Sequence, residues 1–202
     1  MIAKSLLIFG VFSAISANAQ IFSVGVLGGA PFTDVVKATT QNDITYASNS
    51  ANFTVGPAVQ INLPFSLRFE FDALYRPYSF TTACAIRPNV TCPVSSKVSA
   101  DQWSFPFLAQ YRFKAPIVKP FVEAGVSFDH LASISSAANA IASGSGHLVQ
   151  QSHASLVLGG GVDVKVPFIR VSGELRYIHQ GSADFQSISN LNQAEVLFGI
   201  HF

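Results

Sequence analysis

The feature that most constrains this chain is a period-two alternation of apolar and polar residues, which recurs in eight segments. The segments lie near residues 21–30, 52–62, 66–78, 101–113, 120–131, 152–166, 168–180 and 191–202. A period of two is that of a β-strand, whose successive side chains point to opposite faces. Each segment has roughly the length that a tilted strand needs to cross a bilayer. The sequence therefore predicts eight strands, each with two chemically different faces.

One of the two faces carries no charge within any segment, whereas the other collects six of the twelve Lys and Arg residues and seven of the eleven Asp and Glu residues. A charge at the bilayer midplane costs about 2–4 kcal/mol in membrane barrels, so a charge-free face on eight strands indicates lipid contact. Twelve residues of the other face are predicted to form an ion network inside a closed barrel: Arg68, Glu70, Asp72, Arg76, Arg112, Glu123, Asp129, Asp163, Arg170, Glu174, Arg176 and Glu195.

The composition agrees with a membrane exterior built from strands. Only 11% of the 202 residues are charged, and mean hydropathy is +0.37, whereas soluble domains carry about 25% charged residues. After residue 19 no apolar run of about 18 residues occurs, so the surplus hydrophobicity does not come from transmembrane helices. A formal net charge of +1 provides no basic field for nucleic acid, which is excluded as a partner.

Alternation alone does not say which face lies inside, and a soluble ligand-binding barrel remains an alternative. In that case the polar face would be wet and rich in Lys and Glu, but it consists mainly of Gly, Ser, Thr, Asn and Gln around a balanced ion set. The apolar face is crowded with aromatic and β-branched residues, which are too bulky to fill an eight-strand interior together. We therefore predict an all-β, antiparallel up-and-down barrel that spans a membrane with its apolar face outward.

The chain is predicted to be exported and to form one domain. Residues 1–19 have a basic start, a short apolar stretch and the small-x-small pattern Ala17-Asn18-Ala19, as in a cleaved signal peptide. The mature barrel domain would then cover residues 20–202. Cys84 and Cys92 would meet an oxidising compartment and are expected to form a disulfide, with two free thiols as the alternative.

The connections between the segments are asymmetric. Long connections at 31–51, 79–100, 132–151 and 181–190 alternate with short, proline-containing turns at 63–65, 114–119 and 167. This predicts short turns and both termini at one end of the barrel and long loops at the other. Pro57 and Pro106 fall inside predicted strands, which indicates either bulges or misplaced boundaries. Aromatic girdles are expected at Tyr75, Tyr78, Trp103 and Tyr177 on the loop side, and at Tyr111, Phe113, Phe121, Phe168 and Phe202 on the turn side.

The C-terminal segment, residues 194–202, ends in an aromatic residue preceded by apolar residues at alternate positions, Phe198, Ile200 and Phe202. It resembles the signal by which Gram-negative assembly machinery recognises outer-membrane barrels. As a whole, the mature chain resembles the small eight-stranded family that includes OmpA-like transmembrane domains, OmpX and opacity-type proteins. The resemblance implies an outer-membrane location, with membrane lipid and the barrel-assembly machinery as partners. No peptidoglycan-binding domain is seen after the barrel, so wall anchoring is not expected.

The expected function is a structural role or a surface interaction through the long loops, with a possible extracellular ligand, and without catalysis, metal or cofactor. An eight-strand lumen is just wide enough for its own side chains, so the ion network is interpreted as a plug. The alternative is a narrow diffusion channel for small polar solutes. A lipid A-modifying enzyme is a weaker alternative, since His153-Ala154-Ser155 is similar to a deacylase motif whose acidic partner would fall at Pro167, with Asp163 as a substitute.

Overall fold

The computed structural model describes residues 21–33, 39–41, 44–49, 53–84, 96–134, 152–182 and 190–202. Every regular element in these ranges is a β-strand. The strands are β1 (Phe22–Pro31), β2 (Thr39–Gln41), β3 (Ile44–Asn49), β4 (Thr54–Asn62), β5 (Leu67–Asp72), β6 (Leu74–Cys84), β7 (Ser96–Arg112), β8 (Val118–Ile134), β9 (Ser152–Lys165), β10 (Arg170–Gln180) and β11 (Asn192–His201).

The strands close into one antiparallel barrel. β1 pairs with β11 on one side and with β4 on the other, so the described sheet has no free edge at barrel level. Since β5 and β6 occupy one position between β4 and β7, the ring is β1, β4, β5–β6, β7, β8, β9, β10 and β11. This confirms the predicted eight-strand barrel. The Asn62 amide donates to the Ile21 carbonyl and the Phe202 amide to the Val24 carbonyl, which places the start of β1 and the end of β11 beside the short turns.

Three strands are longer than the predicted segments and continue into the long connections. β6 continues to residue 84, β7 already begins at residue 96, and β8 continues to residue 134. The connection at 31–51, expected to be a loop, contains β2 and β3, and β3 pairs with β6. The sequence of β3, ITYASN, has polar residues on both parities. A strand without an apolar face gives no alternation, so β3 is not predictable from the period of the sequence.

The two prolines inside strands face the same interruption of the sheet. By register, Pro57 lies opposite Ala73, and Pro106 opposite Asp72, where β5 ends and β6 begins. The register is unchanged across the gap, because Ala58 faces Asp72 and Val55 faces Tyr75. The Ala73 amide donates to the Pro57 carbonyl at 3.0 Å, but Pro57 has no N–H to return that bond. Of the two alternatives, misplaced boundaries are correct, because the predicted strand at 66–78 is interrupted opposite these prolines without a bulge. A register shift between β7 and β8 lies elsewhere, at Asp101/Gln102.

The two faces of the strands have inverted polarity relative to a soluble protein. Phe69, Phe107, Leu158 and the rest of the charge-free parity form an exposed apolar band, while the charged parity is buried, as the alternating burial of β5 illustrates. The soluble-barrel alternative is therefore wrong, since a water-facing exterior would not carry this band. Small apolar clusters, including Leu27, Leu74 and Leu197, complete the lumen filling. Phe121 also points inward and is buried, so its placement in the turn-side girdle was wrong.

Candidate functional site: the buried polar lumen

The lumen is filled by polar and charged side chains from the inward parity. We call this set the lumen network. Its hydrogen-bonded or ion-paired members include Ser23, Thr54, Gln60, Arg68, Glu70, Asp72, Arg76, Gln110, Glu123, Ser127, Asp129, His153, Ser155, Asp163, Arg170, Ser172, Glu174, Arg176, Gln193, Glu195 and His201. A buried charge without a partner costs several kcal/mol. The partners within the lumen network therefore decide whether this interior can exist in a folded barrel.

Arg176, on β10, is the centre of the lumen network. Its Nη1 donates to Asp72 at 2.7 Å, its Nη2 to both Glu70 and Glu174 at 2.7 Å, and its Nε to Glu123 at 3.0 Å. Since β5 lies four positions from β10 on the ring of eight, the bonds to Glu70 and Asp72 cross the full diameter of the lumen. One guanidinium thus joins three strands and occupies the middle of the barrel.

Two glutamines connect this acidic centre to a basic layer nearer the short turns. Gln110 accepts a hydrogen bond from Arg68 Nε and donates one to Glu123 at 2.8 Å. Gln60 accepts from Arg68 and Arg170 and donates to Glu70. An amide can serve both signs of charge because it carries one acceptor and two donors. Two of the four carboxylates around Arg176, Glu70 and Glu123, are therefore linked through Gln60 and Gln110 to the arginines nearer the short turns.

The basic layer surrounds a cavity at the short-turn end. Arg68 Nη1 donates to Asp163 Oδ2 at 2.8 Å, and Arg170 Nε lies 3.9 Å from the same oxygen. The Arg68 guanidinium also lies 5.2 Å from the ring centre of Phe121, in cation–π range. Arg112 is half-buried at the rim of this cavity and makes no ion pair with any described residue.

Toward the long loops the polar layer is smaller and more nearly neutral. Arg76 on β6 forms an ion pair with Glu195 on β11 and donates to Gln193 at 3.0 Å and Thr54 at 3.2 Å. Asp129 accepts hydrogen bonds from Ser127 at 2.8 Å and Ser155 at 2.5 Å. Asp129 is one of the twelve residues of the predicted ion network, but its partners are serine and histidine side chains and not an arginine.

The arrangement of His153, Ser155 and Asp129 is not that of a hydrolase triad. In a triad the histidine lies between the nucleophile and the carboxylate and takes the proton of the hydroxyl. Here Ser155 Oγ donates to Asp129 Oδ2, and His153 Nε2 lies 3.4 Å from that same oxygen. Asp163 was the other candidate for the acidic partner. It lies ten residues after His153 on β9, about 33 Å away at strand spacing, and forms an ion pair with Arg68. That assignment of Asp163 was wrong.

Glu70, Glu174 and His201 each bring one ligand-type atom within 4.8 Å of the others, and all three are buried. Arg176 donates to both carboxylates, and His201 Nε2 lies 3.2 Å from Ser172 Oγ, which donates to Glu174. This group is therefore part of the lumen network around Arg176.

The remaining predicted residues lie outside the lumen or outside the described ranges. Phe198, Ile200 and Phe202 are exposed on the outer surface at the end of the chain. Cys84 ends β6, but Cys92 and residues 1–19 lie outside the described residues, so the disulfide and the signal peptide stay predictions.

The residues missed in the sequence were the neutral members of the lumen network. Gln60, Gln110, Ser155 and Ser172 are all buried and hydrogen-bonded to charged groups. They share the parity of the charges, so the alternation itself could have identified them. Charge was the wrong criterion for these members, because an uncharged amide or hydroxyl can equally satisfy a buried ion.

A closed antiparallel barrel with an exposed apolar band and a polar lumen defines an outer-membrane β-barrel protein. The chain belongs to the outer membrane protein beta-barrel domain family, whose model matches residues 18–179. This confirms the predicted outer-membrane location. None of the residues described here forms a helix long and apolar enough to cross a membrane.

Two solved structures are similar in fold. Neisserial surface protein A is 18% identical, with 90% of this chain and 95% of that chain covered and a TM-score of 0.53. Outer membrane protein OprG from Pseudomonas aeruginosa is 13% identical, with 90% and 94% covered and a TM-score of 0.55. No curated protein sequence matches the chain.

Proposed function

We propose that this protein is a closed outer-membrane barrel with a structural role or a surface-interaction role exerted through its loops, rather than an open pore. The observation that carries the proposal is the diametric bonding of Arg176 to Glu70 and Asp72 at 2.7 Å. Water could pass this level only if these charge-assisted bonds broke, and breaking them would leave buried charges without partners.

Three groups of partners follow from this proposal. The exposed apolar band binds the lipid of the outer membrane. The C-terminal residues Phe198, Ile200 and Phe202 are exposed and accessible to the barrel-assembly machinery. The long connections, which join strand ends opposite to the short turns, would provide the contact with any extracellular ligand.

Single-channel conductance of the refolded protein in a planar bilayer tests the closed state. A heat-modifiable gel shift must first show that the barrel has formed. We expect folded wild-type protein to be silent and folded Arg176→Ala protein to conduct, because the substitution removes the group that crosses the lumen. Gln102→Ala, which also shortens a buried lumen residue but lies outside the Arg176 cluster, should stay silent. Discrete steps from wild-type protein would contradict the proposal.

The second candidate function is a narrow diffusion channel for small polar solutes. It is favoured by a cavity of about 420 Å³ that enters the lumen from the short-turn end and reaches His201. In this case the Arg176 bonds would exchange partners as a solute passes. Wild-type conductance, or swelling of proteoliposomes in small sugars, would then be observed.

We also propose that the protein lacks lipid A-modifying activity. Ser155 is buried and donates to Asp129, so His153 does not hold its proton. Lipid A from cells that express wild-type protein should have the same mass as lipid A from cells that express Ser155→Ala protein. A mass difference that depends on Ser155 would overturn this part of the proposal.

A further inference from the structure

Most of the charged side chains that line the cavity at the short-turn end, which we call the mouth cavity, are basic. Arg112, Lys119, Lys165 and Arg170 line it, against a single acidic side chain, Asp163, and the C-terminal residue Phe202. Arg68 does not line the cavity, but it adds a fifth cation next to it through its ion pair with the lining residue Asp163. Short turns are periplasmic in outer-membrane barrels, so the mouth cavity opens toward the periplasm.

Three guanidinium groups of this region have donors without acceptors. Arg68 Nη2, Arg112 Nε and Arg170 Nε are all buried and lack a hydrogen-bond partner among the described residues. Arg68 is 1% exposed. The nearby carboxylate of Asp163 does not satisfy these donors: its Oδ2 accepts from Arg68 Nη1 and lies 3.9 Å from Arg170 Nε, beyond hydrogen-bond distance, and its Oδ1 is buried without a hydrogen-bond partner among the described residues. A buried charged donor without an acceptor costs about 1–3 kcal/mol or more, which indicates a missing acceptor.

The strand register adds to the excess of positive charge. Lys165 on β9 lies directly opposite Arg170 on β10, and like charges in this position are destabilising. Lys119 faces Asp163 across β8 and β9, but Asp163 is already engaged by Arg68. The cations of the mouth therefore converge on the cavity without enough acidic groups in the described chain to balance them.

We propose that the mouth cavity binds a phosphate group, either free phosphate or the headgroup phosphate of a lipid in the periplasmic leaflet. The planar forks of arginine match phosphate oxygens in paired hydrogen bonds, and a multiply charged oxyanion offsets several cations at once. At about 420 Å³ the cavity has room for such a group. Phe168 and Phe202, which also line it, are 93% and 70% exposed and provide an apolar rim next to the membrane.

Calorimetric titration of the refolded full-length barrel with inorganic phosphate, in phosphate-free detergent at constant ionic strength, tests the free form. The lipid form is tested by the thermal midpoint of the heat-modifiable band in phosphatidylcholine vesicles with and without phosphatidic acid. A response to inorganic phosphate assigns the site to free phosphate, whereas a shift with phosphatidic acid alone assigns it to the headgroup. No response in either arm would overturn the proposal.

The matched variants are Arg112→Gln and Lys114→Gln, which remove the same charge at the same end of the barrel. Arg112 lines the mouth cavity, whereas Lys114 is exposed and does not. We expect about a tenfold loss of affinity for Arg112→Gln, from the loss of a charge-assisted bond, and little change for Lys114→Gln. If Arg112→Gln does not fold, Lys119→Gln replaces it. Equal losses at the cavity residue and at Lys114 would indicate only diffuse attraction and overturn the site.

Discussion

Gln110 donates a 2.8 Å hydrogen bond to Glu123 across the β7–β8 ladder while it accepts one from Arg68 on the neighbouring strand β5. A neutral side chain thus lies between a buried cation and a buried anion and satisfies both. Arg68 and Glu123 are thus linked through Gln110, and the ion pair of Arg68 is made with Asp163, which lies on β9.

This bridge predicts a large cost for an apolar replacement of Gln110. We expect Gln110→Leu to lower the free energy of unfolding by about 2–4 kcal/mol, because Arg68 Nε and Glu123 Oε2 would each lose a partner. Urea unfolding in detergent micelles, followed by the heat-modifiable gel shift, measures this loss. Gln102→Leu is the control, since Gln102 is equally buried on β7 but its Oε1 has no partner among the described residues. Equal losses for the two variants would contradict the bridging role.

Arg176 and its carboxylates should respond unequally to substitution. We expect Arg176→Met to cost about 3–5 kcal/mol, because it leaves four buried carboxylates without their shared cation. Glu123→Gln should cost less, since it reduces the excess of negative charge and keeps an oxygen for Arg176. The same urea titration compares the two, with Lys114→Gln as the exposed control. A greater loss for Glu123→Gln would show that the carboxylates do not depend on Arg176.

Gly56 is predicted to be intolerant of any side chain. A Cβ at this position would lie 1.9 Å from the carbonyl oxygen of Ala73, the group that faces Pro57 across the interrupted ladder. Backbone must move to relieve such a contact, so Gly56→Ala should cost about 3 kcal/mol or prevent refolding. Gly28→Ala is the matched control on β1, because its Cβ meets nothing within 4 Å. The yield of heat-modifiable protein after refolding should separate the two variants, and similar yields would refute the close contact.

The β4–β5 turn offers a stabilising substitution. Phe65 and Ser66 both have positive φ, at 64° and 66°, as in a type I′ hairpin turn, which favours Asn and Gly. A left-handed non-glycine residue costs about 1 kcal/mol, so Ser66→Gly should raise the free energy of unfolding by about that amount. Ser66→Val should lower it, because a β-branched residue disfavours this conformation. The urea midpoint of each variant checks the order, and a less stable Ser66→Gly protein would contradict the turn assignment.

The fluorescence of Trp103 tests, without any substitution, whether the apolar face of the barrel contacts lipid. It is the single tryptophan of the chain and lies on the outer face, 37% exposed, next to Tyr75 and Phe105. In vesicles, lipids brominated on the acyl chain should quench its fluorescence more strongly than aqueous iodide does. Stronger quenching by iodide would place this face of β7 in water.

The fold was predictable because the information for it is local in the chain. A strand repeats every two residues, so parity alone assigns Phe69 to the lipid and Arg68 to the lumen. The polar segment of β3 escaped prediction for the same reason, since it has no apolar parity to detect. Pro57 and Pro106 gave a correct warning of irregularity, but only the pairing register shows that both face one gap at residues 72–73.

The sequence by itself determined that these eight strands close into a barrel with its charges inside. Only the tertiary structure decided which charges meet. Parity fixes the face of a residue, but not its height along the barrel axis or its position around the ring, and both depend on how the strands are staggered. That stagger brings Arg176 to Glu70, 106 residues away in sequence, and leaves Arg112 without an acidic partner among the described residues. The chemistry of the lumen therefore follows from the closure of the barrel.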